Sequence, residues 1–316
     1  MAAVENAYTT YDAKANREDL SDTIYNIDPF DTPLMTAAGR RNVSNVLFEW
    51  QTEELPAVDT TAREEGFELV RQESQPTVRQ SGVCEIHERD ATVSGTQEAS
   101  NPAGKRSEMA HQMALKGKAL KRDMESAFFG SDQAANLTDI RRTRALKNWL
   151  ATNYTSAGGD GTAADPATNT PVTAGTPADF TEVMLNDTMQ QCYEAGAEPS
   201  LVFVGPGNKR VISSFVGRVN SRHMIQANKV VNVVSLYASD FGDLKILPTR
   251  WIDPADVFIM DPRYYRVAFF RNFQRSKLGK IGDADTNMIV VEAGLQVDNE
   301  KAHGYIADTT GTLPAP

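Results

Sequence analysis

The sequence is poor in cysteine and histidine, with two cysteines and four histidines among 316 residues. Cys84 and Cys192 lie far apart, and this usage indicates a reducing compartment in which both thiols stay free. No two of the six possible ligands have the spacing of a zinc finger, so we expect no metal site. These six residues are Cys84, Cys192, His87, His111, His223 and His303.

Long apolar runs are also missing. The mean hydropathy is -0.41 with 41% hydrophobic residues, and no run approaches the length that spans a bilayer. The first twenty residues are polar and acidic, without the basic start and apolar core of a signal peptide. We therefore expect no membrane partner, and the chain is long enough to form two packed cores.

Catalytic signatures are absent from the sequence as well. The segment 205–209 follows a strand and precedes a helix, but it lacks phosphate-loop spacing and places Pro206 where a backbone N–H should face the ligand. Asp283 and Asp285 resemble the start of a calcium loop that has no later ligands. No serine lies in a nucleophile elbow. We expect no catalytic, cofactor-binding or metal-binding residues, and hence no enzyme.

Charge is present in quantity but unevenly distributed. The net charge of -10 argues against nucleic-acid binding over the whole surface. Residues 49–90 contain 11 acidic and 4 basic side chains, whereas residues 105–147 contain 10 basic and 5 acidic ones. The two blocks are either two solvated faces, or the acidic block of one subunit lies over the basic block of another.

The N-terminal third predicts an arm followed by a projecting hairpin. Residues 1–45 are sparse in apolar side chains and cannot form a core of their own. Residues 46–51 alternate as a strand, with Phe48 and Trp50 on one face. After a polar excursion, residues 77–93 are extended again, with Cys84 and Ile86 expected on one face. Such a hairpin buries too little to be stable alone and needs a partner surface.

A long helix is predicted from Asn101 to Gly130, with Asn101 as the N-cap, Pro102 at the first position and Gly130 as a left-handed terminator. Its apolar stripe repeats at spacings of three and four. The stripe consists of Met109, Met113, Gly117, Leu120, Met124 and Phe128. The other face is basic and carries Lys105, Arg106, Lys116, Lys118, Lys121 and Arg122.

The second half predicts an α+β domain. Residues 152–177 are a low-complexity insertion or a domain boundary. Thr176-Pro177 caps a second helix that ends at Gly196 and carries four residues on one side: Phe180, Val183, Met184 and Cys192. Residues 201–204 form a buried strand that leads through a turn into a third helix, 208–215. Later strands, rich in Val, Ile and Phe, should pack on the long helix. Four arginines form either an anion patch or the alternation of a strand pair: Arg263, Arg266, Arg271 and Arg275.

In the order of these parts and in the residue sequence of several segments, the chain resembles the major capsid (major head) proteins of tailed bacteriophages, which have the HK97-type fold. The likeness covers most of the chain outside residues 152–177. It is carried by DLSD at 19–22, DPFDTPL at 28–34, FEWQ at 48–51, VGPGNK at 204–209, DPRYY at 261–265, KIGDA at 280–284 and EKAHG at 300–304.

The resemblance implies an architecture. It implies an N-terminal arm at 1–45, an extended loop at 46–97, a peripheral domain with a long spine helix at 98–150 and 251–316, and an axial domain at 151–250. Many relatives carry a cleaved scaffolding segment before the arm. Here the arm starts at Met1, so either scaffolding comes from a separate protein or the sequence is already the mature form; the starting Met favours the first.

The resemblance also implies a structural function. The chain would assemble with copies of itself, as hexamers and pentamers, into an icosahedral shell around double-stranded DNA that it contacts weakly and non-specifically. Further partners would be scaffolding, portal and cement proteins, and assembly would take place in the host bacterial cytoplasm. An encapsulin-like compartment and a nucleotide-binding enzyme are the alternatives.

Within that function the two charge blocks acquire a specific role. We expect the acidic loop of one subunit to lie on the basic helix face of its neighbour. The expected contact residues are Glu53, Glu54, Glu64, Glu65 and Glu68 on the loop, and Lys116, Lys118, Lys121 and Arg122 on the helix.

Overall fold

The computed structural model describes residues 31–53, 55–56, 58, 60–68, 76–100, 105–134, 140–215, 236–280 and 282–312. Its α-helices are α1 Pro33–Ala37, α2 Gly95–Ala99, α3 Glu108–Phe129, α4 Glu182–Glu194 and α5 Pro206–Phe215. Its strands are β1 Gly39–Asn42, β2 Leu47–Thr52, β3 Val78–Val83, β4 Glu85–Ser94, β5 Tyr154–Ser156, β6 Leu201–Val204, β7 Leu236–Ser239, β8 Gly242–Pro248, β9 Val257–Met260, β10 Tyr265–Lys277, β11 Ala284–Val297 and β12 Gly304–Ala307.

The strands form two mixed sheets and one hairpin. The first sheet has the order β1-β10-β11-β4, with β10, β11 and β4 antiparallel and β1 added parallel to β10. The second has the order β5-β12-β9-β6-β8-β7. Strands β2 and β3 pair antiparallel as a separate hairpin. The α+β class expected from the sequence is therefore confirmed.

Helix α3 packs its predicted stripe into the main core. Leu120, Met124 and Phe128 are fully buried in a cluster that includes Val291 and Leu295 of β11. Each such side chain contributes roughly 1.5–3 kcal/mol by leaving water. Near its N-terminus the same stripe continues through Met109 and Met113 onto Ala91 and Val93 of β4. The prediction that the late strands pack on the long helix is confirmed.

The ends of α3 differ from the prediction. The helix begins at Glu108, after Ser107, whose hydroxyl accepts a hydrogen bond from the Ala110 N–H at 3.2 Å. The predicted start at Asn101-Pro102 lies outside the described residues. Gly130 ends the helix in an extended conformation, with φ -64° and ψ -164°. The expectation of a left-handed terminator was therefore wrong. A backbone hydrogen bond from Gly130 to the Ala127 carbonyl closes the last turn instead.

The two hairpin strands lie where the sequence predicted them, but Cys84 and Ile86 do not share a face as expected. Phe48 is buried and pairs across the strands with Gly82. Cys84 separates β3 from β4 and is fully buried, whereas Ile86 is 47% exposed. The chain changes strand at Cys84, so the alternation does not continue through it. The expectation of one shared face for Cys84 and Ile86 was therefore wrong.

The described part of the arm is anchored on its own subunit. Leu34 of α1 is buried in the main core, and the Trp251 indole N–H donates to the Asp31 carbonyl at 2.9 Å. Strand β1 then extends the first sheet, with Gly39 opposite Arg266. Residues 1–30 of the predicted arm lie outside the described residues.

The second half contains the predicted strand-turn-helix unit, β6 followed by α5. The predicted insertion at residues 152–177 is folded. Helix α4 begins at Glu182 and is capped by Thr181, not by Thr176-Pro177; Val183 is exposed. Its buried face is Leu185, Thr188, Met189 and Cys192. Within 152–177, β5 joins the second sheet, and bridges link Thr162 to Thr173 and Asp165 to Thr170.

Both cysteines are buried free thiols, as expected. Burial raises the pKa of each thiol to about 12. Among the described residues, no group of His, Cys, Asp or Glu side chains could hold a metal ion. No helix in the described part of the chain combines the length and the apolarity that crossing a membrane requires.

Candidate assembly interface

The base of the β2–β3 hairpin is fixed by stacked aromatic rings. The Phe48 and Trp50 rings stack with centroids 5.8 Å apart, and Trp50 lies 5.4 Å from Trp149 of the subunit body. The Trp50 indole N–H donates to the Asp298 carbonyl at 3.2 Å. On Trp149, the guanidinium of Arg144 lies 4.4 Å from the ring centroid, a cation–π contact. The direction in which the hairpin leaves the subunit is therefore set at its base.

Two glycines permit this close packing. A Cβ at Gly82 would stand 2.4 Å from the Phe48 ring, and a Cβ at Gly294 of β11 would stand 2.6 Å from the Val83 carbonyl oxygen. Neither distance is compatible with a side chain, so glycine is required for the hairpin to reach the first sheet.

The loop tip, which we define as residues 53–68, has the opposite character. The described acidic residues Glu53, Glu64, Glu65 and Glu68 are all exposed, and Glu54 lies outside the described residues. Three apolar side chains are exposed with them: Leu55 at 93%, Val58 at 89% and Phe67 at 53%. An acidic surface with uncovered apolar side chains is typical of a segment that binds a partner.

One turn in the loop tip has defined geometry. The Phe67 N–H donates to the Glu64 carbonyl at 3.2 Å, and Gly66 has a φ of +84°. A positive φ at the third position is the signature of a type II turn, for which glycine is favoured. The turn holds Phe67 next to Glu64 and Glu65.

The basic face of α3 borders a groove. The helix groove, of about 360 Å³, lies between α3 and the distal parts of β10 and β11. It is lined by Ala114, Gly117, Lys118, Lys121, Phe273, Gln274, Arg275 and Ile289. The floor is apolar, and three basic side chains stand around it, two of which, Lys118 and Lys121, were predicted as contact residues.

The other two predicted bases do not line the groove. Arg122 lies over Trp251, with its guanidinium carbon 5.8 Å from the ring centroid, and Lys116 is half-buried elsewhere on the helix. Lys121 faces the groove and lies 6.0 Å from the centroid of the Phe273 ring. Sequence periodicity placed all four residues on one helix face, but the packing of Trp251 divides that face into two.

Arg275 was the basic groove residue that the predicted contact set left out. The alternative of an anion patch formed with three other arginines is not supported, because each of those is engaged within the subunit. Arg263 binds Asp261 at 2.7 Å, Arg266 binds Asp298 at 2.7 Å, and Arg271 pairs with Glu292. Two of these partners, Asp298 and Glu292, lie more than twenty residues away in sequence from the arginine that they bind.

Glu125 of α3 joins the arm to the long helix. Its carboxylate is fully buried and accepts hydrogen bonds from the backbone N–H groups of Leu34 at 2.7 Å and Met35 at 2.9 Å. Burial raises the pKa of this carboxyl from 4.5 to about 7, although the two N–H donors favour the ionised form. The sequence offered no signal for this contact, which spans ninety residues.

The glycine-rich turn before α5 is filled by the chain itself. A Cβ at Gly207 would stand 2.5 Å from the Gly311 carbonyl oxygen, so the backbone of the C-terminal segment packs directly against this turn. Asn208 is buried and donates to the Pro254 carbonyl at 3.0 Å and to the Thr309 hydroxyl at 2.8 Å. The turn holds the C-terminal segment in place.

Local contacts also account for Asp283 and Asp285, the two residues that resemble the start of a calcium loop. Asp283 accepts the Gly95 N–H through its backbone carbonyl at 3.0 Å, and Asp285 pairs with Lys277 at 3.0 Å. The two residues are at the start of β11, next to the turn that joins it to β10. They act as turn and strand residues.

The chain was compared with known proteins. The model of the SU10 major capsid protein family matches residues 4–310. The major capsid protein of Escherichia phage Phieco32 is 25% identical over 346 aligned positions, which cover 98% of each chain. Among solved structures, the capsid of cyanophage A-1(L) has a TM-score of 0.68 at 10% identity, covering 96% of this chain and 98% of that one.

An encapsulin has a similar fold. The SrpI encapsulin of Synechococcus elongatus matches with a TM-score of 0.61 at 10% identity, covering 96% of this chain and 95% of that one. At this identity the likeness concerns the fold alone. The two solved structures therefore establish the HK97-type fold, and the family match separates a capsid from a cellular compartment.

Proposed function

The chain belongs to the SU10 major capsid protein family, and from this premise we propose how one subunit binds the next. As a major capsid protein of a tailed phage, it forms the icosahedral shell of the virion. We propose that the loop tip of one subunit lies in the helix groove of its neighbour. The observation that supports this most is the match between an acidic, apolar tip and a groove with an apolar floor and basic rim.

The physical reason for such a contact is that the loop tip gains little within its own subunit. Leu55, Val58 and Phe67 remain exposed there, and burying them against a neighbour would contribute about 25 cal/mol for each Å² of apolar surface removed from water. Repeated around a ring, a contact between two different surfaces of the same chain closes into a capsomer. Many weak contacts acting together then hold the shell.

We propose that the chain has the four parts that the family resemblance implies. The arm is 1–45, the extended loop is 46–97, the peripheral domain is 98–150 with 251–316, and the axial domain is 151–250. The second sheet runs through both of the last two, because β9 and β12 pair into the sheet that also contains β6. We propose that these two domains act as one body while the loop reaches outward.

We further propose hexamers and pentamers as the capsomers, and double-stranded DNA as the content. A net charge of -10 suits a wall that holds DNA without tight phosphate contacts, whose affinity would depend steeply on salt. Separate scaffolding, portal and cement proteins complete the proposed set of partners. Assembly in the host bacterial cytoplasm belongs to the same proposal.

The test is charge reversal on both sides of the contact. Glu64→Lys with Glu65→Lys should block shell formation and leave the subunit folded, because like charges would then meet at the groove. Sedimentation and electron microscopy of the purified protein measure the shells, and circular dichroism measures the fold. Adding Lys118→Glu and Lys121→Glu to the same chain should restore assembly, since the charges are exchanged.

A matched control carries the same change of charge elsewhere. Glu88 and Asp90 lie on the exposed face of β4, and their reversal to lysine should leave assembly as in the parent chain. Normal shells from the Glu64→Lys, Glu65→Lys variant would contradict the proposed contact. A parent chain that forms neither shells nor capsomers alone would require a repeat with a scaffolding partner.

A further inference from the structure

Gly117 lies in the interior of α3, where glycine weakens a helix relative to alanine. Within the part of the subunit that the structure describes, nothing requires a glycine here. A Cβ at this position would contact only the Ile289 Cδ1 atom, at an ordinary 3.8 Å, and its backbone φ is not in the left-handed region. A glycine that neither conformation nor internal packing requires leaves space for a group that approaches from outside.

That space is the middle of the helix groove. Ala114 and Gly117 form one wall with small or missing side chains, and Phe273 and Ile289 form the other. The resulting surface is an apolar slot, bordered by Lys118, Lys121 and Arg275. A flat aromatic ring attached to an acidic segment fits this combination of shape and charge.

We propose that Phe67 of a second copy of this chain inserts its ring into the groove over Gly117, as the apolar anchor of the contact. This inference rests on the proposed function and names the residue that carries most of the binding. Large aromatic side chains in desolvated pockets dominate interfaces, while surrounding charges mainly set orientation.

The loop tip favours Phe67 over the other exposed apolar residues. Phe67 is held by the turn that Gly66 permits, since its own N–H closes that turn on the Glu64 carbonyl. Glu64, Glu65 and Glu68 flank the ring, and three basic residues surround the groove. The tip therefore presents one aromatic ring flanked by acidic side chains, and the helix groove presents an apolar surface flanked by basic ones.

Disulfide capture tests the placement directly. Subunits with Phe67→Cys are mixed with subunits with Ala114→Cys, assembled and treated with oxidised glutathione, and covalent dimers are counted on a non-reducing gel. Both native thiols are fully buried, so background linking should be small. Because each subunit carries one new cysteine, a dimer can form only between copies.

The control replaces Ala114→Cys with Lys245→Cys, an exposed position on β8 outside the groove. We expect at least ten times more dimer with Ala114→Cys than with Lys245→Cys. Equal yields in assembled shells would overturn the Phe67 placement while leaving the shell function intact. The Phe67 placement would also be overturned if Leu55→Cys or Val58→Cys formed dimers with Ala114→Cys while Phe67→Cys did not.

Substitutions give a second, independent measurement. Phe67→Ala, and Gly117→Leu, which fills the groove, should each raise the protein concentration needed for shells at least tenfold. Gly117→Ala should raise it by a smaller factor than Gly117→Leu, because its methyl group fits beside Ile289 but takes part of the space that the ring fills. Circular dichroism melting of each variant checks the fold. A folded Phe67→Ala or Gly117→Leu subunit that assembles as the parent does would overturn the proposal.

Discussion

At its base the β2–β3 hairpin buries Phe48 against two glycines, whereas at its tip Leu55, Val58 and Phe67 are exposed to solvent. At the base Phe48 stacks on Trp50, Trp50 packs at an angle against Trp149, and the Trp50 N–H donates to the Asp298 carbonyl of the body. The tip has one turn of defined geometry and a surplus of acidic side chains. One hairpin, residues 47–83, thus combines a buried base with a tip whose described residues are exposed.

The difference shows where the free energy of each part is gained. Contacts at the base form when the subunit folds, so changes there should affect the stability of every subunit. Contacts of the tip form only when a second copy is present, so changes there should affect assembly and leave folding almost unchanged. Substitutions that are chemically alike at the two ends can separate these cases.

The largest effect is expected for Phe48→Ala. The side chain is buried between Gly82, Gly294 and Trp50, and removing it leaves a cavity that should lower the free energy of unfolding by about 3–5 kcal/mol. Denaturation of the unassembled subunit in urea measures the loss.

Phe67→Ala is the matched control, the same substitution at the other end of the hairpin. It should change the free energy of unfolding by less than about 0.5 kcal/mol, as is usual for exposed sites. Equal losses for the two variants would mean that base and tip do not differ in the way described.

A second prediction concerns the pH dependence of the anchored arm. The pKa of Glu125 is 4.5 when unfolded and about 7 when buried, so its contribution to stability is fully present below about 4.5 and is lost as pH rises through about 7. Glu125→Gln keeps the shape but cannot ionise, and its single carbonyl oxygen keeps an acceptor for one of the two N–H groups, that of Leu34 or that of Met35. The stability of the variant relative to the parent should therefore rise by on the order of 2–3 kcal/mol between pH 5 and pH 8.

Urea denaturation of the unassembled subunit at both pH values provides the measurement. Glu88→Gln, an exposed carboxylate on β4, serves as the control and should follow the parent chain at both. A Glu125→Gln difference that stays constant across the pH range would show that this carboxylate does not titrate in the window.

The smallest effect is expected when Leu55 and Val58 are both replaced by serine. Their side chains are almost fully exposed, so the free energy of unfolding should stay within about 0.5 kcal/mol of the parent value. A loss above 1 kcal/mol in thermal or urea unfolding would show that the tip packs against its own subunit, and the comparison would then have to be redrawn.

Local pattern was sufficient to predict much of the fold. The alternation around Phe48 and Trp50 located the first hairpin strand, and the spacing of Leu120, Met124 and Phe128 located the buried stripe of α3. Both signals arise because one face of each element contacts the core over its full length. The helix start was harder to predict, because Glu98, from α2, accepts hydrogen bonds from Ser107 and Met109 and so helps set the boundary.

The candidate interface could be predicted only in part, since charge alone was visible. The acidic and basic blocks identified Lys118 and Lys121, but Arg275 joins them through the pairing of β10 with β11. Arg122 leaves the set because Trp251, more than a hundred residues away, lies beneath it. Contacts between distant segments decide these cases, and they carry no local signature.

The anchoring of α1 has a mechanical consequence. Leu34 is embedded in the core, and the carboxylate of Glu125, close to the C-terminal end of the long helix, accepts hydrogen bonds from the amide groups of Leu34 and Met35. The arm is therefore a tether whose fixed end lies inside the subunit. Any load applied to the chain before Asp31 would be delivered to the central helix without first passing through the sheets. A pull on the arm would therefore tend to bend that helix directly.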